Sequence, residues 1–252
     1  MNLIRHILII SFIVVGTASA INVDEVMDKA NKEYRENNFT AAIAEYEKLL
    51  DDGYKGTSLF YNLGNAYYRI GKLGYAILYY EKALKLSPND EDIKHNLALA
   101  YSGTIDKIDT MPRFFFFEWW ENFLAIFSID GWIVLTLAIY LLLLAVIAAY
   151  FFAGRIIHPR ISFFAGSVIL MILLVTSSVT AVKLNRENKR LEAVIIENSV
   201  VVKLSPDIHG KDGFMVHEGL KILLEDEIDD WKKIRLPDGK IGWVKENQIA
   251  TI

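Results

Sequence analysis

Two small sets of polar and aromatic residues recur 34 positions apart: Asn31, Tyr34 and Arg35 reappear as Asn65, Tyr68 and Arg69, with Tyr61 beside the second set. A side-chain amide offers two N–H donors and a carbonyl acceptor, so two of them one period apart suit the backbone of an extended peptide. A guanidinium adds a fork that matches a carboxylate. The chemistry on offer is therefore non-covalent recognition by Asn31, Tyr34, Arg35, Tyr61, Asn65, Tyr68 and Arg69, although asparagine and arginine are also ordinary choices for a solvated face. No nucleophile stands beside a base. His95, His158 and His209 are isolated, His217 sits in a turn, and HExxH, GxSxG, P-loop and dinucleotide patterns are missing. The acids Glu225-Asp226-Glu227 and Asp229-Asp230 lack calcium-loop spacing and read as a solvated turn between strands. The sequence points away from an enzyme, and neither a cofactor nor a metal is expected.

What must position the recognition residues is a pair of helices repeated. At a shift of 34, Ala42 falls on Ala76, Ile43 on Ile77, Tyr46 on Tyr80 and Glu47-Lys48 on Glu81-Lys82. Residues 57–90 carry Phe60, Leu63-Gly64, Tyr67, Ala76, Tyr80, Ala83 and Pro88. Small residues where helices cross and a proline that ends the second helix resemble the tetratricopeptide repeat. The unit before it is degenerate, with Lys29 and Ala30 in place of Leu63 and Gly64. Ile93, Leu97, Ala98 and Tyr101 start a third unit that reads as a cap on the stack. Helices are expected over 24–37, 40–51, 57–70, 73–86 and 91–102, with Asp24, Thr40 and Thr57 as N-caps and Gly53 and Gly71 at helix ends. In repeats of this kind extended peptides lie against the first helices. The lysine of a full carboxylate clamp is replaced here by Met27.

Composition bounds the rest. The 252 residues are 53% hydrophobic, with net charge −4 and mean hydropathy +0.26, high for a chain that never meets lipid. Nothing in this balance neutralises phosphates, so nucleic acid is not an expected partner. Without cysteine, disulfides and thiolate metal sites are excluded.

Residues 1–20 read as a signal peptide: Arg5, an apolar run over 7–15, then Ala18-Ser19-Ala20, with an uncleaved anchor as the other reading. Residues 132–152 and 161–182 carry no charge, and each is long enough for a hydrocarbon core of roughly 30 Å. Between them, 153–160 holds Arg155 and Arg160 with no acid, which places this loop in the cytoplasm and both flanks outside. Residues 111–131 include Phe114 to Phe117, Trp119 and Trp120, and suggest an interfacial aromatic amphipathic helix; a partner-binding helix fits as well. The domain order is thus a signal peptide (1–20), repeat domain (21–110), interfacial helix (111–131), transmembrane helices (132–152 and 161–182) joined by the cytoplasmic loop, a linker (183–191) and a β domain (192–252).

In that β domain, runs at 193–196, 199–203, 221–224, 231–236 and 240–244, with Pro237-Asp238-Gly239 as a hairpin turn and a closing Ile249, resemble the bacterial SH3-like barrel. Trp231 and Trp243 are core or rim aromatics, and also the candidate ligand contacts. The whole order resembles the BatE-type proteins of the Bacteroides aerotolerance operon, carried by residues 61–68, residues 86–93 with Asn96-Leu97, Trp119-Trp120 and Asp130-Gly131-Trp132. The resemblance implies an inner-membrane scaffold with periplasmic domains, working beside von Willebrand factor A-domain Bat proteins and a MoxR-type ATPase in oxidative or envelope stress. The alternative is a cell-wall tether whose SH3-like domain binds peptidoglycan peptides.

Overall fold

The computed structural model describes residues 22–107, 114–152, 159–189 and 191–252. The expected signal peptide and all but the last two residues of the expected cytoplasmic loop lie outside the described residues. Five helices open the described chain: α1 (Val23–Arg35), α2 (Phe39–Asp51), α3 (Thr57–Arg69), α4 (Leu73–Leu86) and α5 (Glu91–Ser102). They pack in sequence order, and α3 also touches α1 and α5, so the first helices of successive units line one side. Gly64 permits the tight crossing of α3 and α4: a Cβ there would sit 2.6 Å from the Tyr80 ring. Leu59, Leu63, Ala66, Ala76, Ile77 and Ala83 are fully buried between the helices.

The helix ends repeat as well. Asn37, Gly53 and Gly71 adopt φ of 63°, 81° and 75° just beyond α1, α2 and α3. Each time the next amide reaches back five residues: Asn38 to Glu33, Tyr54 to Leu49 and Lys72 to Tyr67. The starts differ from expectation. Asn22, Asn38 and Gly56 hold the N-cap positions, without side-chain capping bonds. Asp24 and Thr40 fall inside the first turn, where Asp24 instead complements the helix dipole. Thr57 Oγ1 meets Ser87 Oγ at 3.1 Å. The capping carboxylate is Asp90, which accepts from the amides of Asp92 and Ile93.

Three helices follow: α6 (Phe115–Leu124), α7 (Ile129–Phe152) and α8 (Pro159–Lys189). The last two form an antiparallel apolar hairpin, and Ile129–Phe151 and Arg160–Arg186 are long and apolar enough to cross a membrane. At 31 residues α8 is about 46 Å long, some 16 Å more than a roughly 30 Å hydrocarbon core. It runs on through residues expected as a linker. The aromatic helix α6 is stapled to the hairpin: Trp132 Nε1 donates to the Leu124 carbonyl at 3.1 Å, and Arg186 meets Glu121 at 2.7 Å. Phe115, Phe116, Phe117 and Trp119 stay exposed.

The β domain is a seven-strand antiparallel sheet: β1 (Glu192–Ile195), β2 (Ser199–Lys203), β3 (Asp212–His217), β4 (Lys221–Ile228), β5 (Trp231–Arg235), β6 (Ile241–Lys245) and β7 (Ile249–Thr251). Its order is β3-β2-β6-β5-β4-β1-β7, an open ladder whose end strands do not pair. Val200, Val202, Val216, Ile222, Ile234 and Val244 fill its core. The acids 225–227 do not form a turn. They extend β4, where Glu227 pairs with Lys232 and Asp226 with Lys233 across the ladder, so opposite charges stabilise an exposed strand end. The turn is the two residues beyond, with Asp229 at φ 50°.

Candidate functional site

Asn31 and Asn65 each sit on the first helix of a unit, inside a network that repeats with the chain. Tyr46 on α2 donates to Asn31 Oδ1 at 2.7 Å, and Asn62 Nδ2 on α3 donates to the same oxygen at 3.1 Å. One period on, Tyr80 donates to Asn65 Oδ1 at 2.7 Å, and Asn96 Nδ2 on α5 donates at 3.0 Å. Both amides are thereby fixed with the carbonyl satisfied, and their NH2 ends have no acceptor among the described residues. Burial pushes the Tyr46 phenol up to about 12 and Tyr80 beyond that, so both remain hydroxyl donors throughout the physiological range.

The other residues divide. Tyr61 accepts from Asn96 Nδ2 at 2.9 Å and leans on the Tyr80 ring. Tyr34 meets Phe39 edge-on, and the Arg69 guanidinium lies 4.5 Å above that same ring. Arg35 is exposed with no hydrogen-bond or ion-pair partner among the described residues, and Tyr68 is half-buried against the repeat core. The structure thus brings Asn31, Tyr61, Asn65 and Arg69 into fixed positions on α1 and α3. In the β domain Trp243 is buried in the sheet, whereas Trp231 is half-exposed with Lys245 Nζ 5.9 Å above its ring. Sequence reading passed over Asn62 and Asn96, the residues that orient the amides, although their own 34-residue spacing is visible.

A second set of contacts joins the repeats to the β domain. Lys221 Nζ on β4 stands 2.9 Å from Glu81 on α4 and 2.8 Å from Glu192 on β1. Burial works against the ammonium, but the two carboxylates outweigh it and hold its pKa above the ordinary lysine value. Glu81 also accepts from Tyr101 at 2.7 Å. Asp106 accepts the His217 amide at 2.6 Å and meets its Nδ1 at 2.9 Å, and Glu218 accepts from the Gly74 amide at 3.1 Å. Val194, Ala250 and Ile252 pack into the repeat core itself. Gly219, at φ 86°, leaves room for Ile77 and Thr104: a Cβ there would meet them at 2.8 and 2.6 Å. Beside the seam a cleft of about 740 Å³ opens between α4 and β7, lined by Tyr75, Tyr79, Lys82, Leu224 and Ile249 among others. Among the described residues no group of three or more His, Asp or Glu could hold a metal ion.

None of this amounts to a nucleophile, a base and an oxyanion site; the arrangement can bind, orient and hold. No curated protein matches the chain. Residues 58–90, which span α3 and α4, match the tetratricopeptide repeat family, a protein-interaction module, and this is the unit that carries Asn65 and Arg69.

Proposed function

We propose that this protein is an inner-membrane-anchored scaffold whose repeat groove holds an extended segment of a partner protein at the periplasmic face. The observation that carries the reading is the doubled amide network: Asn31 and Asn65 are oriented by identical partners one period apart, with their NH2 ends open to a peptide backbone. Ordering these side chains in advance lowers the entropy lost on binding. Arg35 and Arg69 supply positive charge beside them. The apolar hairpin supplies the anchor, its short loop cytoplasmic, with α6 lying at the headgroup level and the sheet taken as an SH3-like domain. The likeness to BatE-type proteins suggests the partners: von Willebrand factor A-domain Bat proteins served by a MoxR-type ATPase, in aerotolerance.

The test is affinity capture from gently solubilised membranes after in-cell crosslinking, comparing wild type with Asn31→Ala/Asn65→Ala/Arg69→Ala. Enrichment of von Willebrand-type membrane proteins that the triple variant loses is the expected result. Capture unchanged by the substitutions would remove the groove from the account. In the cell-wall tether reading Trp231 is the available ring, since Trp243 is covered. Loss of co-sedimentation with purified cell wall in Trp231→Ala would move the function to the β domain.

A further inference from the structure

Helices α6 and α8 line two cavities, one charged and one apolar. The charged one, of about 260 Å³, lies where the repeats, the hairpin and the β domain come together: Lys85 of α4, Glu121 of α6, Ile129 of α7, Lys183 and Arg186 of α8 and Glu192 of β1 line it. The stretches long and apolar enough to cross a membrane are Ile129–Phe151 and Arg160–Arg186, so the cavity takes in one end of each. It therefore stands at the mouth of the hairpin, where lipid headgroups begin. Its three cations face two carboxylates, and both carboxylates are engaged: Glu121 meets Arg186 at 2.7 Å, and Glu192 meets Lys221 at 2.8 Å. The described lining holds one positive charge in excess. Next to it, Trp120 and Phe123 of α6 and Met171, Val175 and Val182 of α8 line an apolar groove of about 430 Å³. On α8, residues 171, 175, 178 and 182 share one face, and Arg186 is the next residue on it. From Val182 to Met171 is about 16 Å of helix, close to half of a roughly 30 Å hydrocarbon core.

We propose that the two cavities together hold one anionic phospholipid, its phosphate among Lys85, Lys183 and Arg186 and an acyl chain in the groove between α6 and α8. The proposal rests on the membrane reading of the hairpin. Charge selects the headgroup. A phosphodiester without an amine carries a single negative charge, which complements the one positive charge in excess. A zwitterionic headgroup brings an ammonium as well, and the two carboxylates of the lining already face Arg186 and Lys221. The guanidinium of Arg186 gives one nitrogen to Glu121 and keeps further N–H groups for a phosphate oxygen. Depth selects a lipid over free phosphate, because the apolar groove continues the α8 face below Arg186 for about one leaflet. Lys85 belongs to the last turn of α4, so a phosphate held there ties the repeats to the mouth of the hairpin. The lipid would set how the repeat domain stands on the membrane.

The full-length protein, reconstituted in vesicles of equal parts dioleoylphosphatidylglycerol and dioleoylphosphatidylcholine, tests this by native mass spectrometry of the lipid it retains. One phosphatidylglycerol per chain is expected, favoured over phosphatidylcholine about tenfold. Lys85→Glu, a change outside the apolar spans, should abolish that preference. Val182→Trp, which fills the groove with a ring that lipid-facing positions accept, should lower retention of phosphatidylglycerol about tenfold while leaving the fold intact by circular dichroism. Equal retention of the two lipids would overturn the proposal, as would a preference that both substitutions leave unchanged. Displacement of the lipid by glycerophosphoglycerol, the same headgroup without chains, at equal concentration would reduce the site to one for phosphate alone and overturn it too. Flotation with the vesicles without selective retention removes this proposal only. Failure to float removes the membrane reading and the proposal with it.

Discussion

Lys221 Nζ lies 2.9 Å from Glu81 Oε2, across 140 residues of chain, and so ties the second helix of a repeat to a strand that follows the apolar hairpin. Lys221→Met leaves Glu81 in a largely buried site without its cation. The side chain of Lys221 is one-third exposed, 32%, which reduces the loss below that of a fully buried pair. A cost of about 1–3 kcal/mol is expected, measured by chemical denaturation in detergent. The double variant Glu81→Gln/Lys221→Met should recover part of it, because no unpaired charge remains.

Alkaline pH should loosen the repeats and the seam together. Tyr46 and Tyr79 are held at about 12 by burial, above the ordinary value of about 10, and Lys221 is also raised, its carboxylates outweighing burial. A raised folded-state pKa means that the folded chain binds more protons than the unfolded one. The stability is then fully present below about pH 10 and falls as pH rises toward 12. Tyrosinate absorbance and loss of helicity should rise together over that window. Titration of these phenols near 10 without unfolding would contradict the burial described.

Gly219→Ala should weaken docking while leaving each half folded. The new methyl meets Ile77 and Thr104 at under 3 Å, on a backbone already at positive φ. A loss of about 1–3 kcal/mol is expected, together with faster proteolysis at the seam. Hydrogen exchange should rise at β1 and α4 and stay unchanged at α1.

In vesicles carrying lipids brominated on the acyl chains, single-tryptophan forms should rank by depth. Trp119 is 60% exposed on the apolar face of α6 and should be strongly quenched; Trp243, buried in the sheet, should not. Equal quenching of the two would remove α6 from the membrane surface.

The repeats were legible because residue identities recur at a fixed spacing: Ala42 with Ala76, Tyr46 with Tyr80. The helix starts were not, since Thr40 has the chemistry of a cap while the backbone turns at Asn38. β3 is missing from the strand runs read in the sequence because only Val216 of its six residues is buried, which leaves no alternation to read. The acids of β4 read as a turn because their partners, Lys232 and Lys233, become visible only once the register is known. The groove residues were named from the pattern, whereas the residues that aim them, Asn62 and Asn96, needed the side-chain bonds. The seam was out of reach: nothing local marks Glu81 as holding a lysine and Glu47 as lacking one.

One consequence of the Glu81 contacts is mechanical. Tyr101, where the chain leaves the repeats, and Lys221, after it returns, both end on the same carboxylate. The intervening apolar hairpin is thus a loop closed at its neck by non-covalent bonds. A load pulling the hairpin away from the soluble part would act across that neck, together with the Asp106–His217 and Asn89–Ile126 contacts. The protein is built as a clasp, and Glu81 is its pin.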